Sequence, residues 1–278
     1  MIGLEGIFDT HAHYDNEAFD QDRENILSNL EENGIGAVVN VGASLESSAR
    51  SLELSRKYPF VYAAAGVHPS ETAELTEESL AWLRRQLADP KVVAVGEIGL
   101  DYYWPEPSHE LQQYWFNRQL DLAEEEGMPV IIHSRDAAAD TLQMIKQHYS
   151  KAKAAGRELT GVIHCFSYGP EIAKEYIKMG FWLGIGGVVT FQNARKLGGV
   201  VEEVPLSKLV LETDAPYLSP VPYRGQRNSS LNLPYVVEEI ARRKKIPAEE
   251  VVRVTAENAR KLYKIQLEVE KESDGGIR

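Results

Sequence analysis

The chain has 278 residues, 43% apolar and 26% charged, enough for a large core and typical of a globular protein rather than a disordered or fibrous one. No stretch reaches the roughly 20 apolar residues that cross a bilayer, the start from Met1 to Glu5 has neither a basic region nor an apolar run, and the single Cys165 has no internal partner; the expectation is a cytoplasmic protein without a leader or membrane association. A net charge of −12 excludes attraction of phosphate backbones over the whole surface, so a nucleic-acid substrate would need a local basic patch and bound cations.

In chain order, short apolar runs alternate with amphipathic stretches. The runs are Gly6–Phe8, Ala37–Val41, Phe60–Ala65, Val92–Val95, Val130–Ile132, Gly161–Ile163, Phe181–Ile185 and Leu209–Leu211. They are continuous rather than alternating, the mark of strands covered on both faces. Between the first two, Ile26, Leu27 and Leu30 share one helical face from Asp20 to Asn33, and Gly34 ends it. Thr76 caps a helix carrying Leu80, Leu83 and Leu87, stopped at Asp89-Pro90. Further helices run from Leu111 to Glu126, Asp136 to Ala155 and Pro170 to Met179, each closed by a glycine, Gly127, Gly156 or Gly180. Two more follow the last strand, Leu231–Lys245 and Pro247–Lys264.

Eight such units predict an α/β fold of the TIM-type (β/α)8 barrel, occupying residues 1–265 as one domain, with a charged, flexible tail at 266–278. No Gly-rich phosphate turn follows the first strand, which argues against a dinucleotide-binding open sheet.

Histidines and acids cluster at strand ends. His11, His13, His133 and His164 each follow a predicted strand, as do Glu97 and Asp214. All strand C-termini of a barrel face one mouth, so these six converge. His11 and His13, two apart, point to the same side and can grip one ion. Imidazoles mixed with carboxylates suit zinc, manganese, cobalt or iron better than magnesium, which prefers oxygen ligands; two divalent cations per chain are expected, with Mg2+, Mn2+ and Zn2+ the candidates. We expect His11, His13 and Asp214 on one ion, His133 and His164 on the other, and Glu97 bridging them at roughly 3.5–4 Å, the usual two-metal spacing. Glu97 and Asp214 are then also the catalytic pair, Asp214 accepting a proton from the attacking water.

The motifs around these residues are Phe8-Asp9-Thr10-His11-Ala12-His13, Gly66-Val67-His68-Pro69, Gly96-Glu97-Ile98-Gly99-Leu100-Asp101-Tyr102, Ile132-His133-Ser134-Arg135, His164-Cys165-Phe166-Ser167 and Glu212-Thr213-Asp214-Ala215-Pro216-Tyr217. In this order, over residues 5 to 264, the sequence resembles the TatD family of metal-dependent deoxyribonucleases within the amidohydrolase superfamily. The resemblance implies a metallo-dependent hydrolase barrel, one or two divalent ions on the same six residues, and hydrolysis of DNA phosphodiester bonds. The family's stretch after the aspartate often carries a lysine and a glutamate where this chain has Gln226 and Ser229; Arg224, Arg227 and Asn228 remain.

Four residues are candidates for substrate contact. His68 either touches a substrate phosphate or packs beside Pro69. Arg135 either forks onto a phosphate or pairs with Asp136 or Asp101. Arg224 and Arg227 suit phosphate positioning from a mouth-side loop. Tyr102, Tyr103 and Trp104 suit either base stacking or an aromatic lid. His109 and His148 read as surface residues, Cys165 as packing, and the basic run Arg242–Lys245 as a helix end. The leading expectation is a deoxyribonuclease acting on single-stranded or end-frayed DNA; the alternative is a small-molecule amide or ester hydrolase, or a deaminase, of the amidohydrolase type.

Overall fold

Leu4 to Ile265 are the residues that the computed structural model describes, and the expected tail at 266–278 lies outside them. Eight strands form one parallel sheet in sequential order: β1 Ile7–Ala12, β2 Ile35–Val41, β3 Val61–Ala65, β4 Val92–Asp101, β5 Val130–Arg135, β6 Gly161–Ile163, β7 Trp182–Ile185 and β8 Leu209–Leu211. The sheet closes on itself where Ala12 bridges Ala215 in parallel and His13 N–H donates to the Ala215 carbonyl at 2.7 Å. This is the expected barrel. Nine helices surround or follow the strands: α1 Arg23–Ser28, α2 Leu45–Lys57, α3 Glu77–Gln86, α4 His109–Glu126, α5 Ala138–Ala154, α6 Pro170–Lys178, α7 Arg195–Glu203, α8 Leu233–Lys244 and α9 Ala248–Tyr263 among the described residues. None of them is long and apolar enough to cross a membrane.

Strand periodicity splits the core in two. Val38, Ala63, Val130, Ile132, Ile163 and Leu211 join the helix-facing cluster. Val39, Ala64, Ile131, Val162 and Val210, on the alternate positions, form a second cluster whose helical members all come from α9: Ala256, Ala259, Leu262 and Tyr263. That second set is the barrel interior, and α9 plugs its floor, where Lys264 also donates to the Gly127 carbonyl at 2.9 Å.

Helix boundaries follow local chemistry. Thr76 makes a reciprocal capping box with Ser79 at the start of α3, and Gly127 ends α4 in the left-handed region at φ 64°. The stretch expected to be one helix from Asp20 to Asn33 is instead the single turn-and-a-half of α1 flanked by 3-10 turns at Glu17–Phe19 and Glu31–Asn33. Asn29 and Asn33 each turn an amide back onto the carbonyl four residues earlier, at 2.7 Å, and such side-chain competition weakens a helix.

Candidate metal centre

The strands extend further than their apolar runs, so three of the expected ligands sit within strands rather than after them. His11 lies in β1, Glu97 in β4 and His133 in β5. The interior faces explain the convergence. Ile131 and His133, Val162 and His164, and Val210, Glu212 and Asp214 share strand parity, so the polar cluster continues the barrel's apolar interior up to its mouth. In β4 a register shift between Val95 and Ile98 places Ile98 and Leu100 with the helix-facing core and Glu97 with the mouth residues. Gly99, at φ 146°, lies so close to β5 that a Cβ there would meet the His133 carbonyl oxygen at 2.0 Å.

The six expected residues meet. His11 and His13 point their Nε2 atoms at each other, 3.1 Å apart. Glu97 splits its two oxygens: Oε2 lies 3.4 and 3.8 Å from the Nε2 atoms of His11 and His13, while Oε1 lies 2.8 Å from His133 Nδ1 and 3.7 Å from His164 Nε2. Asp214 Oδ1 is 3.4 Å from His13, 3.8 Å from His11 and 3.8 Å from His164. His11 and His164 stack at 3.6 Å between ring centroids. Asp214 holds a left-handed backbone, φ 57°, with its N–H donating to the His11 carbonyl at 2.9 Å, so the turn after β8 aims the carboxylate at the β1 histidines.

The electrostatics are those of a cation site. Burial opposes a charge on His13, yet Asp214 and Glu97 outweigh it and hold the imidazolium up to about 9. Against the same burial, Glu212, Glu97 and Asp214 push His164 up to about 10. Burial would raise Glu97, but His164 and His11 drive it well below the usual carboxylate range. Burial and the neighbouring His164 lower His11. Carboxylates that draw protons onto buried imidazoles are placed to draw a metal ion instead, and facing Nε2 lone pairs 3.1 Å apart need a proton or cation between them. The donor set fits a cation: His11–His13–Glu97 and His11–His164–Asp214 each bring their ligand atoms within 4.8 Å of one another, which groups His164 with His11 and Asp214 rather than with His133 as expected.

Two supporting acids escape a strand-end search. Asp101, at the end of β4, lies 3.2 Å from His133 Nε2, and Glu212 lies 3.2 Å from His164 Nδ1. A Cβ on Gly184 would meet Glu212 Oε2 at 2.0 Å, so the glycine leaves space for that carboxylate. The signal was present in the sequence: Asp101 is four positions after Glu97 and Glu212 two before Asp214, on the same strand face.

The other candidates separate. His68 joins the centre, edge-on to His133 at 4.3 Å between centroids. Its Nδ1 accepts the Ser70 N–H at 3.2 Å, so Nε2 carries the proton, and burial together with His133 lowers its pKa to about 3, keeping it neutral. Arg135 lines the mouth cleft and stacks on the Tyr103 ring at 3.7 Å rather than pairing with Asp136 or Asp101. The cleft holds about 740 Å3, with Trp104 and Tyr217 on its walls. Tyr103 and Trp104 are about half exposed, whereas Tyr102 stacks on His109 at 3.6 Å and donates its hydroxyl to Asp140. Arg224 and Arg227 do not line the cleft. Arg227 makes a forked pair with Asp22 at 2.8 and 2.5 Å, and Arg224 covers Phe191. His148 is buried between α4 and α5, contrary to the surface position expected of it, because its face of α5 packs on α4, where Asn117 accepts its Nε2 proton at 3.0 Å. Cys165 is part-buried, and burial raises its thiol well above the usual range.

Comparison with known proteins follows the same geometry. A family model described as TatD related DNase matches residues 8–264. Over 259 residues the chain is 42% identical to the uncharacterized metal-dependent hydrolase YabD of Bacillus subtilis, covering 93% of this chain and 99% of that one. It is 32% identical over 265 residues to the 3'-5' ssDNA/RNA exonuclease TatD of Erwinia tasmaniensis, covering 93% of this chain and 100% of that one. Among solved structures, the TatD homologue YJJV of Escherichia coli superposes with a TM-score of 0.86 at 32% identity, covering 94% of this chain and 98% of that one.

Proposed function

Since the chain belongs to the TatD-related DNase family of metal-dependent hydrolases, we propose that it cleaves phosphodiester bonds of DNA from a single-stranded or frayed end. The observation that carries the reading is the division of Glu97, one oxygen toward His11 and His13 and the other toward His133 and His164. One carboxylate shared between two imidazole pairs supports a two-ion reading of the site. Divalent ions held there supply charge stabilisation at phosphate oxygens and a water acidic enough to attack at neutral pH.

The chain's own residues do the rest. Asp214, central to three histidines and open to the cleft, accepts the proton of the attacking water. His68, neutral with its proton on Nε2, donates a hydrogen bond to a phosphate oxygen. Arg135, placed over the Tyr103 ring, forks onto a second phosphate oxygen, and Trp104 offers a face to the terminal base. The relative named as a 3'-5' ssDNA/RNA exonuclease supports an end-directed mode.

One observation favours the alternative of a small amide or ester substrate. The β1–β3 side of the cleft carries Asp15, Glu17 and Glu71, beside a Glu46 already paired with Arg50, and this acidic excess repels a long polyanion. End-labelled single-stranded and duplex DNA, incubated with Mg2+, Mn2+, Zn2+ or EDTA beside Asp214→Asn, decides between them. Metal-dependent trimming lost in the variant is the expected result. Intact DNA under every metal, with turnover of a small ester, moves the assignment to the alternative.

A further inference from the structure

Away from the mouth, the helix layer holds a second group of ligand-type side chains. Asn117, Asp121 and Glu124 lie at helical spacing on the face of α4 that meets α5, and His148 comes from α5. His148 is 7% exposed and Glu124 is 4% exposed. Asn117 Oδ1 lies 3.0 Å from His148 Nε2 and has no proton of its own to give, so that nitrogen carries the imidazole proton and Nδ1 is left with a lone pair. That lone pair faces Asp121 Oδ1 at 3.8 Å and Glu124 Oε2 at 3.9 Å. These separations are too long for hydrogen bonds. His148 Nδ1 and Glu124 Oε2 are both buried without a hydrogen-bond partner.

Three acceptors turned toward one point, two of them orphaned, are costly unless something positive lies among them. A second proton on His148 would find neither carboxylate within hydrogen-bond reach. We propose that Asp121, Glu124 and His148 form a second cation site, distinct from the mouth centre, that takes a zinc-class divalent ion and ties α4 to α5. Their ligand atoms lie within 4.8 Å of one another, and the group supplies one imidazole and two carboxylates, a set that favours zinc over magnesium. The Nε2–H bond to Asn117 is the supporting contact that fixes a metal-ligating imidazole in the correct tautomer. Arg157 engages only Glu124 Oε1, which orients Oε2 inward. Lys151 holds Asp121 Oδ1 at 2.9 Å but is mostly exposed, so it competes with the ion and can swing away. The half-open Asp121 edge is the route of entry.

The test uses the full chain and Zn2+ alone. His11→Ala/His13→Ala disables the first half of the mouth centre; zinc per chain and melting temperature are then compared with and without His148→Gln. The expected result is one zinc equivalent fewer with His148→Gln than without it, whatever the His133–His164 half of the mouth retains, together with loss of part of the zinc-dependent rise in melting temperature. Lys151→Ala should tighten zinc by up to about fivefold, the equivalent of releasing one exposed ion pair. If the mouth variant folds poorly, the single His148→Gln change in the otherwise native chain should still lower the bound zinc by one equivalent. Equal zinc content with and without His148→Gln overturns the proposal and leaves a water among the three acceptors.

Discussion

The two histidine pairs of the mouth are supported by different means. His13 sets its Nδ1 against the carbonyl of Val41 at the end of β2, at 2.7 Å, and the His11 N–H donates to the Asp9 side chain at 3.2 Å, so the adjoining strands β1 and β2 orient this pair. His133 and His164 are instead backed by carboxylates, Asp101 and Glu212, each at 3.2 Å. A carbonyl fixes a ring's direction; a carboxylate also makes the ring a stronger base and a better ligand. One half of the centre therefore has no carboxylate behind its imidazole rings, its His13 ring being set by a main-chain carbonyl. The other rests on two buried charges and is exposed to their loss.

Asp214 lies where the halves meet, so its removal should have the largest effect on either. Asp214→Asn keeps the shape but abolishes the base, and activity should fall by about 10^2- to 10^4-fold. Steady-state hydrolysis of the metal-loaded variant measures this, and a loss under tenfold would remove Asp214 from the proton transfer.

The supporting acids come next. Asp101→Asn and Glu212→Gln should each weaken metal binding by about 10- to 100-fold, with one ion of the pair lost before the other. Chelator competition reads the affinity, and a melting curve guards against misfolding, since both acids are buried. Unchanged affinity for both ions in both variants would erase the distinction between the halves. Glu212 also accepts the Cys165 N–H at 2.6 Å, a bond that the glutamine carbonyl retains, so Glu212→Gln isolates the charge.

The β4–β5 side of the cleft tests whether this asymmetry extends to substrate. Trp104→Ala should raise KM for single-stranded DNA about fivefold or more, the value of one base stack, and leave turnover of a small ester alone. Equal KM for DNA in both proteins would assign Trp104 to the lid reading.

How much of this could be read from the sequence depends on periodicity. The barrel was legible because its strands are buried on both faces and read as apolar runs, and the six mouth residues because they follow those runs. Asp101 and Glu212 were hidden by treating strand ends as points, when β4 continues to Asp101 and alternation carries its inner face up to that acid. The break of the Asp20–Asn33 stretch was hidden because apolar spacing does not report asparagine amides bonded to the preceding turn. The burial of His148 is not legible in the sequence because helical spacing shows which residues share a face, not which face meets a neighbour.

Arg227 marks the edge of the comparison and carries the smallest effect. The sequence suggested a phosphate contact, yet its guanidinium is already engaged by Asp22 and the Ala18 carbonyl, tying the loop after β8 to the segment after β1. The pair is more than a third exposed on both sides, so solvent screens it, and Arg227→Ala should cost no more than about 1 kcal/mol of stability. Since both histidine pairs keep their supports in this variant, KM and metal affinity should match those of the native chain. Denaturant melts and steady-state kinetics on one preparation separate the possibilities. A raised KM with unchanged stability would mean that Arg227 leaves Asp22 for the substrate, and the loop would then belong to the binding surface.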